Sequence, residues 1–212
     1  MKNVRIYFKK IGRLKFVSHL DMTRVMSRLI KKSGIPVWYT EGFNRHIYMN
    51  FALPLSLGFE GHYEVMDIRL NDDNYPDSEV LSRLQAVSPE GLEFFGISEP
   101  IKQTKDIGFA EYLLNLHEFD DDTLNSLEEF LSKDSVLCLK KGKKGKVKEV
   151  DIIPKIKSWE LKDKILKLCL VAGSEDNLNP TLIMDTFFGD TKALFYSVTR
   201  SAVFDKNGEK YV

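Results

Sequence analysis

Apolar and polar residues alternate at the start of the chain: Val4, Ile6 and Phe8 fall on one side of an extended segment, Arg5, Tyr7 and Lys9 on the other. This period of two predicts a half-buried strand over residues 4–8. After Ser18 the period lengthens. Met22, Val25, Met26, Leu29 and Ile30 recur at helical spacing while Arg24, Arg28, Lys31 and Lys32 share the opposite side, and Gly34 with Pro36 stops the helix. There follow an extended segment at 37–40, a turn at 41–44, a strand-like run at 47–55 and a strand at 63–70. An acidic turn then leads into a helix at 78–86 and a strand at 92–97.

Strand, helix, strands, helix, strand is the split βαβ order of a ferredoxin-like lobe, an antiparallel sheet with both helices on one face. The other face would then carry Arg5, Tyr7 and Lys9 and is the expected ligand face. The second half repeats the order loosely. A strand is expected at 111–117, a helix at 122–131, a hairpin at 136–140 and 148–153, and a strand at 164–172. Asn179-Pro180 opens a helix at 180–188, before a last strand at 193–203. The expected fold is α+β: two ferredoxin-like lobes with antiparallel sheets, pseudo-duplicated, over residues 1–100 and 108–212.

Charge changes this picture. The chain is neutral overall, yet residues 1–50 carry eleven basic side chains against Asp21 and Glu41, a net of +9. Residues 51–100 carry Arg69 and Arg83 against ten acids, a net of −8. Two readings follow: one basic and one acidic face, suiting an anionic ligand on the basic side, or two segments that pack together and neutralise each other. Cys138 and Cys169 stand apart among apolar neighbours and read as buried thiols. No run approaches the 18 apolar residues of a membrane span, and a cytoplasmic location with no membrane contact is expected.

Two strings carry the candidate chemistry. In Phe16-Val17-Ser18-His19-Leu20-Asp21, Ser18 and Asp21 sit at capping-box spacing, and the same helix start could hold an anion with His19 and Arg24 as added donors. In Glu41-Gly42-Phe43-Asn44-Arg45-His46, a turn made easy by Gly42 and Asn44 also groups an aromatic ring, a fixed cation and an imidazole, as a base-stacking or phosphate-binding loop does. The lysine-rich run at 140–148 reads as a solvated hairpin tip, or as a phosphate-contacting one. Arg200, between Thr199 and Ser201 in the last strand, is either an ion-paired core arginine or a donor between the lobes.

These strings, continued by Phe51-Ala52-Leu53-Pro54-Leu55 with Gly58 and by Glu64 and Asp67, resemble the radical-SAM-linked protein family, a domain fused to or encoded beside a cobalamin-binding-type radical SAM protein. The likeness runs along nearly the whole chain and is most specific over residues 5–70. Two departures stand out: Arg45 replaces the family's usual Pro, and Gly58-Phe59-Glu60-Gly61 replaces its Gly-x-Glu-Ser-type stretch. The resemblance implies a role beside a radical SAM protein as partner, in RNA or ribosome-related metabolism, and assigns no reaction.

Two distant cysteines exclude an iron–sulfur cluster held by this chain, and there is no P-loop, GxGxxG, HExxH or GxSxG. No cofactor and no metal ligand set is expected. The leading expectation is a non-catalytic RNA- or nucleotide-binding adaptor, with Arg5, Tyr7, Lys9, Ser18, His19, Arg24, Arg28, Phe43, Asn44, Arg45, His46 and Arg200 as ligand-binding candidates. One alternative is an RNA-modifying or RNA-cleaving enzyme with His19, Asp21 or His46 as its catalytic group. Another is a purely protein-binding subunit whose acidic segment 60–99 meets a basic partner.

Overall fold

β1 (Lys2–Lys10) pairs antiparallel with β3 (Glu60–Leu70) on one side and with β4 (Leu92–Ser98) on the other. This computed structural model describes residues 1–141 and 147–212, so most of the lysine-rich run lies outside the described residues. Between β1 and β3 come α1 (His19–Ser33) and the short β2 (Met49–Phe51), which pairs antiparallel with β3; α2 (Asp77–Val87) connects β3 to β4. Val4, Ile6, Phe8, Met66 and Ile68 form one core cluster with Met22, Met26, Leu29 and Ile30 of α1 and Val80 and Leu84 of α2. The period of two on the strands and the apolar stripe on the helices meet here as the sequence predicts.

In the second half β5 (Ile107–Asn115) pairs antiparallel with β9 (Ile165–Val171) and with β10 (Ser197–Asp205), and β9 pairs with β8 (Ile156–Lys162). α3 (Asp121–Leu131) and α4 (Pro180–Phe188) supply Leu127, Phe130, Ile183 and Met184 to the second core cluster. β6 (Leu137–Lys141) and β7 (Val147–Asp151) form a separate two-stranded sheet. The expected hairpin therefore exists but stands outside the main sheet, and β8, not expected from sequence, takes its place there. A bulge between Ile156 and Ser158 breaks the alternation that would have marked β8.

The main sheet is continuous. Its order is β4-β1-β3-β10-β5-β9-β8, antiparallel throughout except at the parallel junction of β3 with β10, with β2 on β3. The two halves are thus joined by backbone pairing rather than set side by side. Four α-helices occur among the described residues, and none is long and apolar enough to cross a membrane.

Candidate functional site

α1 begins where the sequence places it. Ser18 is its N-cap: Ser18 Oγ accepts from the Asp21 amide at 3.2 Å and donates to Asp21 Oδ2 at 2.8 Å. Asp21 Oδ1 also accepts from Arg24 at 2.8 Å, and the bonds from Ser18 and Arg24 hold the Asp21 carboxyl below the usual range. Gly34, at φ 70°, closes the helix in the left-handed region that glycine favours. The buried side of α1 carries Met22, Met26, Leu29, Ile30 and Ser33. Arg24, Arg28, Lys31 and Lys32 lie on the other side, and among the described residues only Arg24 of these four is in an ion pair. The stripe from Arg24 to Lys32 covers about 12 Å at the helical rise.

His19 lies over Phe51, ring centroids 5.1 Å apart, at the mouth of a small cleft floored by Lys10 and Glu64. Both floor residues are buried. Lys10 Nζ donates to Val17 O at 2.8 Å, and burial pulls its pKa down. The cleft holds about 10 Å³, room for roughly one water and no organic ligand.

The second string forms an exposed loop. Phe43 is fully exposed, and Arg45 and His46 stand in solvent beside it. The backbone of the loop is tied at its base, where Thr40 N donates to His46 O at 2.8 Å. His46 Nδ1 lies 3.0 Å from Asn44 O and 3.1 Å from Thr40 Oγ1; a carbonyl acceptor assigns Nδ1 the ring proton. Among the described residues no hydrogen bond or ion pair joins this loop to α1, and none links His19, Asp21 and His46 to one another.

Three expected ligand residues are used inside the protein. Arg5 is wholly buried: it forks onto Asp67 at 2.7 and 2.8 Å, reaches Lys102 O and Val212 O, and bonds Tyr211 Oη at 2.9 Å. Tyr7 shares a hydrogen bond with Ser98 Oγ at 2.9 Å and packs in a three-ring cluster with Tyr63 and Phe95. The face opposite α1 is therefore closed at these two positions, because the C-terminal segment folds back over it with Tyr211 buried. Lys9, on the same side, is half exposed and pairs with Glu93 at 2.8 Å. Arg200 is buried and grips Glu64 through Nε and Nη2, and it also donates to the Leu53 and Pro54 carbonyls where β10 meets β3.

Sequence reasoning missed a polar hollow on this same face. Asn3, Arg5, Tyr48, Asn50, Asp67 and Lys102 line a cavity of about 350 Å³. The Arg69 guanidinium lies 4.7 Å from the ring centroid of Tyr48, one of the lining residues, and 5.0 Å from that of Trp38. The alternation of Tyr48 and Asn50 around Met49 was the available signal.

Residues 3–180 match a family described as an uncharacterized protein conserved in bacteria (DUF2344). The chain belongs to this family. No protein of curated function matches it. Among solved structures, a Cbf5-Nop10-Gar1 complex is similar over 84% of this chain and 44% of the matched chain, at 13% identity and a TM-score of 0.40. This chain thus spans less than half of that relative's length.

Proposed function

We propose that this DUF2344 protein is a non-catalytic module that binds RNA or a nucleotide segment and works beside a radical SAM enzyme. The observation that carries the reading is the basic stripe of α1, whose opposite side is fastened into the core, so that Arg28, Lys31 and Lys32 are held on a rigid element without carboxylate partners among the described residues. Arg24 belongs to the same surface. Its pair with Asp21 is exposed and weak, and a phosphate can outcompete it. The exposed Phe43 ring, with Arg45 and His46 beside it, adds a base-stacking element. Asp21 is engaged by Ser18 and Arg24, and the absence of any bond between it and His46 among the described residues supports binding over acid–base chemistry.

Support for the radical SAM partner is the sequence resemblance carried by Phe16–Asp21, Glu41–His46 and the segments that follow. For the architecture, we read the two halves as pseudo-duplicated ferredoxin-like lobes. Each half has the same internal strand order, β4-β1-β3-β2 and β10-β5-β9-β8, with every pair antiparallel.

Electrophoretic shift with cellular RNA tests the binding role. The wild-type chain is expected to shift RNA, and a variant carrying Arg28→Glu, Lys31→Glu and Lys32→Glu is expected not to. Equal behaviour of the two proteins, bound or unbound, removes the basis of the proposal.

A further inference from the structure

We infer that the polar hollow on the sheet face opposite α1 is a second site that receives one nucleotide, with the base among the neutral side chains of the hollow and the phosphate on Arg69. This goes beyond the reading of α1 and does not depend on it. Val4, Ile6, Met66 and Ile68 turn to the core under α1 and α2, so Asn3, Arg5, Asp67 and Arg69, which alternate with them, point the other way. Into β2 the same alternation holds: Ile47 and Met49 pack toward that core, Tyr48 and Asn50 away from it. In register, Asn3 is paired with Arg69 and Asn50 with Asp67, so three strands bring these groups to one surface. The hollow of about 350 Å³ falls within the range of about 300–1,000 Å³ usual for small-molecule sites.

The charged groups of the lining do not choose the occupant. Arg5 and Asp67 hold each other, and Lys102 is taken by Asp205 at 2.6 Å and Glu209 at 3.0 Å. What remains open is neutral. Among the described residues, the Asn50 amide and the Tyr48 and Thr104 hydroxyls, all at the lining, make no hydrogen bond. An amide offers a donor and an acceptor in one plane and a hydroxyl can take either role, which matches the mixed donor and acceptor edge of a nucleobase.

Arg69 supplies the phosphate end. Its guanidinium lies over the Tyr48 and Trp38 rings, and its Nε donates to Asn3 Oδ1 at 3.0 Å. It is half-buried, and among the described residues it has no ion pair and no hydrogen bond from either Nη. A guanidinium fixed in this way, with its amino groups free, is the fork that takes phosphate oxygens in a bidentate manner. Asp67, two residues before it on the same face, is neutralised by Arg5. Asn3 both lines the hollow and accepts from Arg69, so the fork stands one side chain away from the base site, as a phosphate stands one sugar away from its base. A free nucleoside monophosphate and a nucleotide within an RNA chain offer this same chemistry.

Isothermal titration of the full chain with the four nucleoside 5′-monophosphates, their nucleosides and ribose 5-phosphate tests the site. At least one monophosphate is expected to bind saturably, and at least tenfold more tightly than its nucleoside and than ribose 5-phosphate. Asn50→Ala, at an exposed position, should weaken that monophosphate about tenfold with unchanged thermal unfolding. Arg69→Gln should bring the monophosphate close to the affinity of its nucleoside. The α1 variant carrying Arg28→Glu, Lys31→Glu and Lys32→Glu should bind the monophosphate as the wild type does, so that a failure of the α1 reading and a failure of this one are told apart. With binding established, displacement of the monophosphate by a short oligoribonucleotide of the same base assigns the occupant to an RNA chain, and its retention assigns it to the free nucleotide. The inference is overturned by the absence of saturable binding of any monophosphate up to millimolar concentration, by ribose 5-phosphate binding as tightly as the best monophosphate, by indifference to both Asn50→Ala and Arg69→Gln, or by loss of monophosphate binding in the α1 variant.

Discussion

Arg200 of β10 donates from both Nε and Nη2 to the Glu64 carboxylate of β3, and only 2% and 4% of the two residues reach solvent. The same guanidinium reaches Leu53 O at 2.6 Å and Pro54 O at 3.4 Å. This pair sits beside the parallel junction of the sheet, where Thr199 and Arg200 are in register with Glu60 and Gly61. Removing one partner leaves the other charge buried and uncompensated, which costs about 3–5 kcal/mol, so Arg200→Met is expected to lower the denaturation midpoint sharply. Replacing both, as Glu64→Leu with Arg200→Met, should recover much of that loss. Urea unfolding of the two single variants and the double variant checks this; additive losses would show that the pair is not a unit. Gly61→Ala offers an independent route, because a Cβ there meets the Glu64 side chain, and it should destabilise in the same direction.

A second clasp closes the C-terminal segment over the sheet. Arg5 lies 4.5 Å from the Tyr211 ring centroid, Tyr63 Oη donates to Tyr211 O at 3.0 Å, and burial pushes the Tyr211 hydroxyl up to about 12. Arg5→Lys keeps the charge but loses the fork and the flat stacking, and should destabilise the chain by about 2 kcal/mol or more. Tyr211→Phe loses only a hydroxyl with partners and should cost about 1 kcal/mol. Hydrogen exchange would report the difference. Amides near Asp205 and Tyr211 should open earlier in both variants, and unchanged protection there would show that the segment is held by something else.

Local signals in the sequence mark α1 to the residue, with Ser18 and Gly34 as its caps, because cap chemistry involves only neighbours in the chain. α4 with its Asn179-Pro180 start is legible for the same reason. Long-range commitments are not. Arg5 has the pattern of an exposed strand cation, but its partners lie up to 207 positions away, and no periodicity encodes them. The strand-like run 47–55 yields only Met49–Phe51, since Pro54 lacks an amide donor and the Leu53 and Pro54 carbonyls turn to Arg200. At the candidate site the basic stripe is legible from helical spacing, whereas the polar hollow on the opposite face needs β2, β3 and the linker before β5 brought together.

The start of α1 gives a pH prediction. Asp21 titrates below the usual carboxylate value because Ser18 and Arg24 donate to its ionised form. A depressed value in the folded state means that this contribution is present above the ordinary carboxylate range and lost as pH falls through the depressed midpoint. Ser18→Ala should move the Asp21 midpoint up toward the ordinary value and remove a cap worth about 0.5–2 kcal/mol. Carbon-detected titration of the Asp21 carboxyl, with and without the substitution, checks both the direction and the cause. An unmoved midpoint would assign the shift to Arg24 alone.

Helix and loop should leave different signatures on RNA binding. Removing one cation that neutralises a phosphate of a single strand flattens the dependence of log K on log salt by about 0.7, so Arg28→Ala should reduce the slope by about that amount and the triple alanine variant Arg28→Ala, Lys31→Ala, Lys32→Ala by about two. Phe43, fully exposed and uncharged, can contribute only through stacking. Phe43→Ala should therefore weaken binding by about 1–3 kcal/mol at every salt concentration and leave the slope unchanged. Binding isotherms at several salt concentrations separate the two. A slope that ignores the helix substitutions but falls on replacing Arg45 would move the phosphate-binding role from α1 to the loop, because only the residues that displace counterions can change it.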